Sequence, residues 1–118
     1  MQWEFRDDRP IYTQLIEQIQ LRIVSGMYPS GSKLPSVRDL ASEASVNPNT
    51  MQKALAELER LELVYSQRTS GRFITENQQR ISQIKEQLAD EKTETFFLQM
   101  QQLGYSKSET IERITQSN

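Results

Sequence analysis

Apolar positions near the start of the chain recur with a helical period. Ile11, Leu15, Ile16, Ile19, Ile23 and Val24 form one broad stripe, opened by Pro10 and closed by Gly26. A Pro/Gly/Ser-rich connection over 27–33 follows. Leu40, Ala41 and Ala44 then share one face of a short helix predicted over 36–44, with Ser36 placed to cap it. After a tight turn at Ser45 and Val46, a third helix is predicted over 48–61. Asn47 is its cap, and Pro48 occupies the first position, where a missing N–H costs nothing. Met51, Ala54, Leu55 and Leu58 are its buried stripe. The period then changes to alternation, which predicts two short strands over 63–66 and 72–75 around a turn over 67–71. Trp3, Glu4 and Phe5 are read as a short extended piece.

Beyond Glu76 the chain becomes rich in Gln, Glu and Lys. Ile81, Ile84 and Leu88 fall at i, i+3 and i+7, followed by Phe96, Phe97, Met100 and Leu103, and Gly104 ends the stretch. The charged residues 89–95 suggest either a break or a solvated bend between two helices. Ser106 and Glu109 are spaced as a capping box for a last helix, with Ile111 and Ile114 expected on its inner side. The fold class expected is mainly α with a small β-hairpin. A winged helix-turn-helix domain over 1–75 is followed by a short helical tail over 76–118.

Composition narrows the chemistry. The chain has 118 residues, no Cys and no His. Disulfides, thiol chemistry, Ser-His-Asp triads and His-based metal sites are thereby excluded, so no enzyme, cofactor or metal is expected. No apolar run approaches the roughly 20 residues of a membrane span, and the N-terminus lacks the apolar region of a secretory signal; a cytoplasmic protein is expected. The net charge is -2, which argues mildly against a nucleic-acid partner. Its distribution argues the other way, because the excess acid lies in the tail. Lys33, Arg38, Lys53, Arg68 and Arg72 are expected to gather on one face, with Glu57, Glu59 and Glu62 pointing elsewhere.

Two short helices joined by a tight turn, with Asn49, Thr50, Gln52 and Lys53 exposed at the start of the second, are built to enter a DNA major groove. The order of Pro10-Ile11-Tyr12, Gly26, the run LPSVRDLA, VNPNT, LERLELV and a hairpin ending in Phe73-Ile74 resembles the winged-helix domain of GntR-family bacterial transcription regulators, over about residues 9–75. The short tail is similar to that of the YtrA subfamily. The resemblance implies a repressor that binds double-stranded DNA at an inverted-repeat operator as a homodimer. The DNA-facing residues are then Lys33, Ser36, Arg38, Asn47, Asn49, Thr50, Gln52 and Lys53, with Arg68, Thr69 and Arg72 on the wing. Ile81, Ile84, Leu88, Phe96, Phe97, Met100 and Leu103 would join the subunits. Three positions depart from the family pattern: Pro48 stands where Arg is frequent, Glu62 where Gly is common, and Thr69 or Ser70 replaces a wing glycine. Two other functions fit the same elements, a winged-helix module that binds protein and a switch gated by a small-molecule effector held in the tail.

Overall fold

The computed structural model describes residues 1–117, in the order α1 (Ile11–Val24), α2 (Val37–Ala44), α3 (Pro48–Arg60), β1 (Val64–Gln67), β2 (Gly71–Ile74), α4 (Gln78–Gln102) and α5 (Lys107–Gln116). The chain forms two compact units, Met1–Ser82 and a second beginning at Gln83.

In the first unit α1 and α2 both pack on α3. Leu15, Ile19, Leu40, Met51, Leu55, Leu58, Leu63 and Ile74 are at most 1% exposed. Each such side chain contributes about 1.5–3 kcal/mol through burial. Local chemistry sets the helix ends. Ser36 Oγ accepts from Asp39 N at 3.1 Å, and Asn47 Oδ1 accepts from Asn49 N at 2.7 Å. Between the two helices Ser45 takes a left-handed conformation (φ 56°), and Val46 N donates to Ala41 O at 2.9 Å. The turn is therefore tight enough to cross α2 over α3.

The hairpin is antiparallel and pairs Val64 with Ile74, Tyr65 with Phe73, Ser66 with Arg72 and Gln67 with Gly71. Its strands are shifted by one residue from those predicted. Glu62 is left-handed (φ 64°) and turns the chain into the hairpin; Leu63 is buried, its carbonyl accepts from Thr75 N at 2.9 Å, and β1 begins at Val64. At the other end Ser70 N donates to Gln67 O at 3.1 Å, and Gly71 supplies the positive φ of 104° that closes a three-residue loop. The 27–33 connection does more than link. Gly31 N donates to Ile74 O, Ile74 N to Ser32 O and Leu34 N to Arg72 O, at 2.8–2.9 Å. The outer edge of β2 is thereby covered.

The segment 3–5 joins no sheet. Side chains of α1 serve it instead. Glu4 exchanges hydrogen bonds with Gln18, Arg6 does so with Gln14, and the Arg22 guanidinium lies 3.6 Å over the Trp3 ring.

Two expectations about the tail are corrected. α4 runs unbroken through 89–95, because Ala89, Glu91, Lys92 and Glu94 favour helix, and the Thr93 hydroxyl is satisfied within it by Ala89 O at 2.8 Å. In the second unit Gly104 (φ 98°) ends the turn after α4, and the Ser106–Glu109 capping box starts α5. That box sets the phase of α5, so Thr110 is the residue turned inward. Ile111 and Ile114, expected inside, are 50% and 52% exposed. Among the described residues no helix is long and apolar enough to cross a membrane, and no cluster of acidic side chains could hold a metal ion.

Candidate nucleic-acid interface

The start of α3 presents polar groups by simple periodicity. With Met51, Ala54, Leu55 and Leu58 buried, Asn49, Gln52 and Lys53 must face outward, and all three are exposed. Asn47 is exposed beside them, while Thr50 is half-buried. Asn47 serves the Asn49 N–H through Oδ1, which leaves its amide NH₂ free to donate outward. Pro48 has no N–H and the Asn49 N–H is taken by the cap, so it is the positive end of the helix dipole that favours an anion here.

Lys33, Arg38, Lys53 and Arg68 are exposed, and among the described residues none of them makes an ion pair. Arg38 in particular engages neither Asp39 nor Glu43. Ser36 accepts from Asp39 N, and its hydroxyl proton remains available.

The basic residues do not share one surface hollow. A cleft of about 730 Å³ between the hairpin and the start of α2 is lined by Lys33, Ser36, Ser70, Gly71 and Arg72. Thr50 and Lys53 instead line a groove of about 620 Å³ with Tyr12, Glu57 and Arg60. Asn47 and Thr50 border a third hollow with Trp3 and Phe5. Arg68 and Thr69 sit exposed in the hairpin loop.

Arg72 departs from the expected set of free cations. It is half-buried, and its Nε donates to Glu59 Oε1 at 2.9 Å. Glu59 was expected to point away from the basic groups; it accepts from Ser66 Oγ as well. Burial alone would raise the Glu59 carboxyl. The hydrogen bonds from Ser66 and Arg72, with the charge of Arg72, outweigh burial and hold it below its ordinary value. Glu57 is likewise engaged, by Arg60, whose hydrogen bonds hold its carboxyl low. Tyr12, named in the sequence only as part of the Pro10-Ile11-Tyr12 motif, lies beside the start of α3. It is 37% exposed in the same groove as Thr50 and Lys53. Its place outside the Ile11–Leu15–Ile19 stripe was the available signal.

In the tail, Ile84 is 3% exposed within the chain itself, so it is not free to meet another subunit. Ile81, Leu88, Phe97 and Met100 are half-buried. Phe96 and Leu103 are exposed, the latter by 73%, and so is Leu98, which the spacing argument left out. Phe97, Leu98 and Tyr105 line a groove of about 530 Å³ whose rim carries Asp90, Glu94 and Lys107.

Comparison with known proteins bears on this arrangement. The family model for bacterial regulatory proteins of the gntR family matches residues 11–74. The HTH-type transcriptional regulator YhcF of Bacillus subtilis (strain 168) is 41% identical over 94% of this chain and 92% of its own. The HTH-type transcriptional repressor YtrA of the same organism is 42% identical over 70% of this chain and 68% of its own. A GntR family transcriptional regulator from Listeria monocytogenes has a TM-score of 0.88 at 41% identity, over 97% of this chain and 100% of that one. AraR(DBD) in complex with operator ORE1 has a TM-score of 0.55 at 27% identity, over 64% of this chain and 94% of that one.

Proposed function

The chain belongs to the gntR family of bacterial regulatory proteins, and from that premise we propose that it is a transcriptional repressor binding an inverted-repeat operator as a homodimer. The observation that carries this reading is the start of α3. An asparagine cap, exposed Asn49, Gln52 and Lys53, and unpaired Arg38 and Lys33 lie within the winged-helix unit. Phosphate contacts position such a domain, and contacts to base edges give it sequence preference. Lys33, Lys53 and the positive end of the α3 dipole suit phosphates. Asn49 suits an adenine edge, and Arg38 suits a guanine edge or a phosphate. Arg68 and Thr69 in the hairpin loop suit the adjacent minor groove.

The second unit supports the dimer. Phe96, Leu98, Leu103, Ile111 and Ile114 are large apolar side chains, each at least 40% exposed. A second copy would cover them, and a two-fold pair of recognition helices reads a two-fold site. Repression is inferred from YtrA, a transcriptional repressor 42% identical over 70% of this chain.

The test is selection of bound duplexes from a random DNA pool, followed by the pair of substitutions Arg38→Ala and Asn49→Ala. An enriched inverted repeat is expected, with affinity for it reduced about 100-fold or more in the double variant while the fold and dimer persist. A pool that yields no two-fold site, or a double variant that binds as the parent does, overturns the reading.

A further inference from the structure

We propose that Glu59 is a positioning residue for the wing. It sets the hairpin relative to α3 so that Arg68 and the polar start of α3 reach one duplex together. The proposal rests on the DNA-binding reading above.

The geometry begins with one carboxylate oxygen. Glu59 lies in the last turn of α3, and its Oε1 accepts from Ser66 Oγ on β1 and from Arg72 Nε on β2, the latter at 2.9 Å. Ser66 and Arg72 are themselves direct partners across the hairpin. A single side chain of the recognition helix therefore ties both strands at the same rung. Only the Gln67–Gly71 pair separates that rung from the loop that carries Arg68 and Thr69.

The chain link between α3 and β1 is short. It consists of Leu61, Glu62 and Leu63, with Glu62 in the left-handed region at φ 64°. The base of the hairpin is also fixed by buried Leu63, Val64 and Ile74 and by the bonds of Gly31, Ser32 and Leu34 to β2, so the part left to bend is the outer end that carries the loop. A strand advances about 3.4 Å per residue, so a small bend about that base still displaces the loop. The Glu59 tie acts near that outer end, where it resists bending best. The tie also engages Arg72, so Arg68 is the hairpin cation without an ion pair among the described residues. The hairpin does not depend on Glu59 for its existence, because residues 31–34 hydrogen-bond along β2 independently.

A double-mutant cycle on the full chain, read as affinity for the selected operator, decides the matter. Arg68→Ala is expected to weaken binding about tenfold. Glu59→Ala is expected to weaken it by a similar factor, and the double variant to bind no more weakly than Arg68→Ala alone, since a misplaced wing has no contact left to lose. Glu59→Gln, which keeps an acceptor for Ser66 but loses the charge, should fall between parent and Glu59→Ala. Losses that multiply in the double variant overturn the proposal, as does parental affinity in Glu59→Ala. Tighter binding in Glu59→Ala overturns it too, since a released Arg72 would then be the direct contact. Should Glu59→Ala unfold, the same cycle is run with Glu59→Gln and Ser66→Ala. A parent that binds no duplex defeats the DNA-binding reading itself. A parent that binds, with Arg68→Ala harmless, defeats only the role given to Glu59.

Discussion

The two units treat their apolar residues in opposite ways. In Met1–Ser82 the stripes of α1, α2 and α3 close on one another, and eight large side chains are at most 1% exposed. Among the described residues of the unit that begins at Gln83, Ile84 and Thr110 are the buried ones, while Leu103 remains 73% exposed and Leu98 53%. Apolar residues recur at helical spacing in both, far more weakly along α4 than along α2 and α3, and periodicity alone does not say where a stripe finds its partner. The first unit contains its own core. The second leaves large apolar side chains on the surface of its helices, and the proposed dimer rests on them, because helices draw most of their stability from packing an apolar face.

That contrast can be broken at either end. Leu58→Ala, at a fully buried position of α3, should destabilise the first unit by about 2–5 kcal/mol, measured by denaturant unfolding. Leu98→Asp combined with Leu103→Asp should leave that unfolding transition almost unmoved and instead shift the protein to monomers in sedimentation, a loss of about 2–4 kcal/mol of association at exposed apolar positions. Dimers that persist in this variant would place the subunit interface elsewhere. A smaller effect is expected at the α3–β1 link. Glu62→Gly removes the left-handed penalty of about 1–2 kcal/mol but adds chain entropy, so a net stabilisation of about 0.5–1 kcal/mol should appear as a higher melting temperature.

Acid should touch both units weakly and separately. Glu57 and Glu59 in the first, and Glu109 in the second, are held below their ordinary values by the hydrogen bonds they accept. Each therefore adds stability that is present above the unfolded value of about 4.3 and is lost as pH falls through the lower folded one. The melting temperature should decline on acidification below about pH 4.3. Glu59→Gln should flatten that decline for the first unit, and Glu109→Gln should leave the first unit's decline unchanged.

What was legible in the chain follows from distance along it. The caps at Ser36, Asn47 and Ser106 depend on atoms two or three residues away, and all three form as their spacing predicts. The buried faces of α2 and α3 follow from period and are also as expected. Arg72 was read as a free cation because its partner, Glu59, lies thirteen positions back on another element. The hairpin pairs in the register that the predicted strands imply, but both strands reach one residue further toward the turn, because the loop closes on three residues with Gly71 in β2. The polar residues Gln14, Gln18 and Arg22 carry no period signal, yet they hold the N-terminal segment to α1.

The sequence by itself determined α1 to α3, the caps at Ser36, Asn47 and Ser106, the hairpin and the family, because each of these rests on short-range spacing and on the order of motifs. Only the tertiary structure decided which cations stay free, which carboxylate ties the wing to α3, and which isoleucines face out. Those outcomes depend on which side chains meet across elements, and meeting is set by packing in three dimensions rather than by position along the chain.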